Sequence, residues 1–170
     1  MPLLSVCIFA PLATAIVIAI AGDRADRWAR PAALAATSVS FALSVWVTIS
    51  YATTGERFSE RVAWFPRIGV DYIVGIDGLS VFMLLLATSM TLLALWLSPR
   101  DIVRPRLYNG LLLVLSTGMY GVFCALDLVL FYVFWETAFI PIYFLMSIWG
   151  EKGAAKAALK FLVFMLAGSL

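Results

Sequence analysis

Glu136, Pro141 and Lys160 have the types and spacing to handle a proton inside a membrane. Glu136 lies in the run Phe131-Tyr132-Val133-Phe134-Trp135-Glu136-Thr137, otherwise free of charge. Counted along a helix opening at Asp127, it stands ~14 Å from that end. A charge at such depth costs roughly 2.5–3.5 kcal/mol on insertion scales. A carboxyl there can keep its proton and stay neutral, or it can pair with a cation or with water in a polar cavity. A group balanced between these states can load and release a proton, which is what a relay requires. The alternative is a neutral, hydrogen-bonded acid that only holds helices together. Intramembrane acids are functional by default, which favours the relay.

Pro141 follows just over one turn later. It deprives the Thr137 carbonyl of its helical donor and tends to kink the helix. A freed carbonyl beside a carboxyl can hold water. Lys156 and Lys160 share one face of the next apolar run. Lys156 belongs at its mouth, and Lys160 about one turn deeper. Lys160 has two readings, a cation that biases Glu136 or a side chain snorkelling to the headgroups. Neither lysine is expected to touch Glu136. Asp77 and Asp127 read as helix caps. Tyr132, Trp135, Tyr143 and Trp149 read as packing and interface anchors.

These residues need helices to hold them, and the composition says of what kind. Of 170 residues, 64% are hydrophobic and 13% charged, against roughly 45–50% and about 25% in soluble domains. Mean hydropathy is +1.01. A soluble fold of this length could not bury so much apolar surface. Net charge is +2, with no basic stripe for nucleic acid. The absence of histidine excludes histidine-based metal sites and catalysis within these residues. Cys7 and Cys124 lie in apolar runs and read as packing residues.

About 20 apolar residues cross ~30 Å of hydrocarbon. The fold class is therefore an all-α integral membrane protein with about five full transmembrane helices, the start of a sixth, and a short extramembrane hairpin. The expected helices are 3–21, 31–52, 77–97, 108–126, 127–149 and 154–170, with an external connection at 53–76. Residues 1–170 form a single membrane domain, expected to be incomplete at its C-terminus. No basic residue precedes the run from Leu3, so it reads as a retained helix rather than a signal peptide. The first, third and fifth connections carry Arg24, Arg27, Arg30, Arg100, Arg104, Arg106, Lys152 and Lys156. The second balances Arg57, Arg61 and Arg67 with Glu56, Glu60 and Asp71. The N-terminus is accordingly expected on the outer side.

Several motifs in order carry a resemblance. Gly75-Ile76-Asp77-Gly78-Leu79-Ser80 opens the third helix. Gly121-Val122-Phe123-Cys124-Ala125-Leu126-Asp127-Leu128 leads into the Glu136 run. Ile140-Pro141-Ile142-Tyr143-Phe144-Leu145, Ile148-Trp149-Gly150, Lys160-Phe161 and Ala167-Gly168-Ser169-Leu170 follow. In this order and spacing they resemble the chain 4, or subunit M, family of antiporter-like membrane subunits of proton-pumping NADH–quinone oxidoreductase, respiratory complex I. The family is shared with multisubunit sodium/proton antiporters. The resemblance covers about Gly75 to Leu170 and is most specific from Asp127 to Gly150.

The resemblance implies a larger bundle of about fourteen helices and makes Glu136 the fifth-helix glutamate needed for proton translocation. Its lysine partner is expected on a seventh helix, beyond residue 170. It further implies that the chain holds no cofactor, with NADH, flavin, iron–sulfur clusters and quinone in partner subunits. Its partners would be the other membrane subunits, especially neighbouring antiporter-like ones, together with membrane lipids and no nucleic acid. The site would be an energy-transducing membrane, best the bacterial plasma membrane. The expected function is a non-redox translocase subunit of NADH:quinone oxidoreductase. The alternatives are a sodium/proton antiporter or membrane-hydrogenase subunit of the same family, and a structural membrane scaffold.

Overall fold

The structure, a computed structural model, describes residues 2–55, 57–65 and 69–169. Glu56, Arg67 and Ile68 of the polar connection, and Leu170 of the closing motif, lie outside the described residues. Among the described residues the chain forms α1 (Leu3–Ala21), α2 (Ala29–Thr54), a hairpin of β1 (Ser59–Phe65) and β2 (Val70–Gly75), α3 (Ser80–Leu97), α4 (Pro105–Cys124), α5 (Leu128–Trp149) and α6 (Ala154–Ser169). Helices α1 to α5 are each long and apolar enough to cross a membrane. The chain is a multi-pass, all-α membrane protein, as the lengths of its apolar runs imply.

The helix ends show where local chemistry sets the boundaries. Helix α2 starts earlier and runs longer than expected, stopping at Gly55. There a left-handed backbone (φ +67°) lets the amide bond the Tyr51 carbonyl, a conformation glycine adopts without strain. Helix α3 begins after Asp77 rather than on it. The Asp77 Oδ1 accepts the amides of Ser80 (2.8 Å) and Leu79 (3.0 Å). The Ser80 amide and then the Ser80 hydroxyl hold this carboxyl below its ordinary range. Helix α4 is displaced from the expected 108–126. Pro105 starts it, behind a left-handed Arg104 (φ 57°), in the position where the missing proline N–H costs nothing. It stops at Cys124 because Ala125 is extended and bridges to Val74, while the Leu126 amide donates to the Ile73 carbonyl (2.9 Å). Asp127 caps α5 by accepting the amides of Val129 (2.9 Å) and Leu130 (3.0 Å).

The hairpin pairs antiparallel, with Val62 opposite Tyr72 and an irregularity between Ala63 and Phe65. Arg61 and Asp71 form an ion pair across it. It also reaches back to the start of the chain. The Glu60 carboxylate accepts the amides of Leu4 (2.7 Å) and Ser5 (3.1 Å), and the Ser5 hydroxyl. Tyr72 shares a hydrogen bond with that hydroxyl (2.8 Å). The first amides of any helix lack intrahelical acceptors, and here a distant strand supplies them. Burial pushes the Tyr72 phenol above its ordinary value.

Helix α1 packs against α2 and α4, α2 against α3, α4 against α5, and α5 against α6. The core of the first four helices holds Leu4, Ile8, Val47, Leu84 and Tyr120, all almost fully buried. Ala29 and Ala33 of α2 belong to a second cluster with Ile18, Leu95 and Leu113. Buried serine and threonine hydroxyls bond within this bundle: Ser44 bonds Thr88 across α2 and α3 (2.7 Å), and Thr37 bonds its own helix at Ala33 (2.9 Å); the buried Tyr120 hydroxyl has no such partner among the described residues. Gly118 and Gly121 bring α4 close to α5. A Cβ on Gly121 would collide with the Phe134 ring.

The hairpin and the α4–α5 turn share one end of the bundle. At the other end Arg106 pairs with Asp23 and Asp26, and the Trp149 indole donates to the Val103 carbonyl (2.9 Å). The arginine-bearing turns thus gather on one side.

Candidate functional site

Glu136 is the only acidic or basic residue within α1 to α5 that stands away from a helix end. It is half-buried, on the α5 surface that α6 approaches. The Ser169 hydroxyl near the end of α6 donates to its Oε1 at 2.7 Å. A hydroxyl can donate to a carboxylate and accept from a carboxylic acid, so this contact serves either state of the acid. Ser169 is a partner that the chain's charges do not point to. The only signal for it is a small polar residue at the end of an apolar run.

A groove runs beside the acid, lined by Phe131, Tyr132, Trp135, Phe164, Met165 and Ser169. Its α5 wall is an aromatic ladder at helical spacing. Phe131 stacks on Trp135 (5.7 Å between ring centres), Trp135 meets Phe139 edge-on (5.2 Å), and Phe139 meets Phe161 of α6 (6.2 Å). The ladder sets the α5–α6 spacing and keeps the wall apolar. Tyr132 and Trp135 therefore pack the groove.

Pro141 is buried, and α5 continues through it as one helix. Thr137 turns its hydroxyl onto the Val133 carbonyl (2.7 Å). Lys160 and Lys156 are both exposed, and among the described residues no ion pair links either to Glu136. Lys160 precedes Ser169 by ~13 Å along the helix axis. The structure therefore brings together Glu136 and Ser169, leaves Lys160 apart, and places Thr137 in a separate pocket with Phe9, Leu12 and Tyr72. Among the described residues no three histidine, cysteine or acidic side chains gather as a metal site would require. Cys7 and Cys124 are buried free thiols.

Residues 125–170 match the family model described as NADH:quinone oxidoreductase/Mrp antiporter, TM. The chain is 36% identical to NAD(P)H-quinone oxidoreductase chain 4 1 of Picosynechococcus sp. over 99% of its own length and 32% of that protein's. It is 39% identical to NADH-quinone oxidoreductase subunit M of Rhodobacter capsulatus, over 99% of its own length and 34% of that protein's. The chain thus spans about a third of the length of the curated relatives it matches. A chain in the structure of respiratory complex I from Thermus thermophilus with bound NADH superposes with a TM-score of 0.80 at 24% identity, over 98% of this chain and 33% of that one. That likeness shows the fold. The resemblance to chain 4 and subunit M proteins that the motifs carry is borne out by the curated matches.

Proposed function

We propose that this chain is part of a proton-translocating, antiporter-like membrane subunit of an NADH–quinone oxidoreductase. Electron transfer in partner subunits, which hold the flavin, iron–sulfur clusters and quinone, would drive a charge change near Glu136. That change favours first the ionised and then the protonated form of the acid. Glu136 then exchanges a proton with one side of the membrane at a time. The observation that carries the reading is this acid, midway along an apolar helix, bonded by a hydroxyl and bordered by a groove.

Residues 1–170 are read as one membrane domain of a longer bundle. The N-terminus faces outward in an energy-transducing membrane, best the bacterial plasma membrane. Lysine partners of Glu136 come from later helices. Lys160, exposed on α6 and apart from the acid, acts on it only at a distance. Pro141 keeps the carbonyl of Thr137 free to hold water beside the acid.

The test replaces Glu136 with Gln in the full-length subunit within its complex, and records NADH oxidation and proton pumping side by side. Pumping is expected to fall at least about tenfold in an assembled complex, in line with losing a general acid–base group. Normal pumping in that variant would leave Glu136 as a structural acid and end the relay reading.

A further inference from the structure

Among the described residues Arg106 alone of the arginines at the basic end forms an ion pair, and two of the others, Arg30 and Arg100, meet at one pocket. Arg30, at the start of α2, reaches across to the end of α3. Its Nη2 donates to the carbonyls of Trp96 (3.1 Å) and Leu95 (3.4 Å), where a helix carries its partial negative charge. That accounts for half of the guanidinium. Its Nη1 is buried without a hydrogen-bond partner. A pocket opens beside it, lined by Arg30 and Arg100, by Ser98, and by the apolar Leu34, Trp96 and Leu97. No acidic residue lines it.

Arg106 at the same end shows the contrast, since Asp23 and Asp26 both pair with it. Among the described residues no ion pair involves Arg30 or Arg100. The Ser98 hydroxyl is spent on the Ala94 carbonyl and on Tyr108. The apolar wall is wet only if nothing covers it, for Trp96 is 67% exposed and Leu97 70%. Two unneutralised guanidinium groups therefore face the mouth of a pocket whose other wall is indole and leucine, at the level where a helix leaves the hydrocarbon.

We propose that this pocket binds an anionic phospholipid from the leaflet on the basic side. Its phosphate is held by Arg30 and Arg100, and its acyl chains lie along Trp96 and Leu97. Charge complementarity selects the headgroup, because a planar guanidinium matches phosphate oxygens. Basic pockets between transmembrane helices are suited to such headgroups. The apolar wall selects a lipid over a free ion, since inorganic phosphate would leave Trp96 and Leu97 uncovered. The site stands apart from Glu136 and does not rest on the proton-relay reading.

The test uses the full chain in phosphatidylcholine vesicles containing a minor fraction of phosphatidylglycerol with a photoactivatable acyl chain. The readout is labelling of the peptide that contains Trp96 and Leu97, relative to the same photolabel on phosphatidylcholine. Phosphatidylglycerol is expected to label preferentially. Arg100→Gln is expected to lower that preference about fivefold, the effect of one basic residue near an anionic surface. Arg30→Gln is expected to do at least as much. Because it also uncaps α3, the exposed Arg100 variant decides if the Arg30 variant fails to assemble. Excess inorganic phosphate is expected to leave labelling unchanged. Equal labelling by the two lipids, unchanged preference in Arg100→Gln, or displacement by inorganic phosphate would each overturn the proposal.

Discussion

Helices α1 and α5 each carry a proline inside a membrane-length span, Pro11 and Pro141, and the two sites are finished differently. Proline has no N–H, so each deprives the carbonyl four residues earlier of its helical donor. For Pro11 that carbonyl belongs to Cys7, and the Ser40 hydroxyl of α2 donates to it at 2.8 Å. The Cys7 thiol returns a bond to the Ser40 carbonyl at 3.4 Å. Cys7 and Ser40 are both fully buried. For Pro141 the carbonyl belongs to Thr137, and among the described residues no side chain of another helix donates to it. It lies next to Glu136 in sequence. The same covalent defect is sealed by a neighbouring helix at Pro11, and among the described residues no neighbouring helix seals it at Pro141. Unsatisfied polar groups in hydrocarbon cost several kcal/mol, so the proposed relay would have water at the Thr137 carbonyl.

The comparison can be broken at four points, in falling order of effect. Gly121→Val would drive a branched side chain into the Phe134 ring and wedge α4 from α5. Overpacking of this kind costs about 3 kcal/mol or more, and the expected result is loss of assembled complex on a native gel. Wild-type assembly would mean that the α4–α5 contact is not tight. Pro141→Ala should strengthen α5, since proline inside a helix costs about 3 kcal/mol, yet slow proton pumping by severalfold. Pro11→Ala should leave pumping intact. Equal effects of the two on pumping would erase the distinction between the sites.

Ser40→Ala should destabilise the bundle by about 1 kcal/mol, within the range for interhelical hydrogen bonds in membranes. In a Pro11→Ala background the loss should shrink, because the restored amide takes over the Cys7 carbonyl. A denaturation double-mutant cycle reads this directly, and additive effects would refute the proposed link. Ser169→Ala should change stability by less than about 0.5 kcal/mol, as expected for a surface-type substitution, while slowing proton transfer to Glu136. The pH profile of pumping tests it: an unchanged profile would show that the hydroxyl does not bear on the acid.

Apolar run lengths and lone charges were enough to read much of this architecture. The five spanning helices follow from runs that only lipid can solvate, and Glu136 stands out because nothing else in α1 to α5 is charged away from an end. The shifts at the end of α2 and the starts of α3 and α4 have local causes, at Gly55, Asp77 and Pro105, whereas the end of α4 does not. Helix α4 ends at Cys124 because β2 captures Ala125 and Leu126, a tertiary contact that no local pattern announces. The same holds for Ser169 on Glu136 and for Arg30 on the carbonyls of α3. Each joins residues far apart in the chain through one or two hydrogen bonds, too sparse a signal to leave a periodicity. Pro11 was readable as a kink, but its repair by Ser40 depends on where α2 passes.

The Glu60 contact has a consequence for biosynthesis. The leading amides of α1 are held by a carboxylate 56 residues downstream of Leu4. Helix α1 is therefore made with its leading end unlatched, and stays so until the hairpin has been made and has folded back onto it. The hairpin in turn is braced by Leu126, which the ribosome adds only after four helices have been made. The start of α1 is thus locked only after later helices exist, and a nascent chain interrupted before the α4–α5 turn would present quality-control proteases with a loose α1.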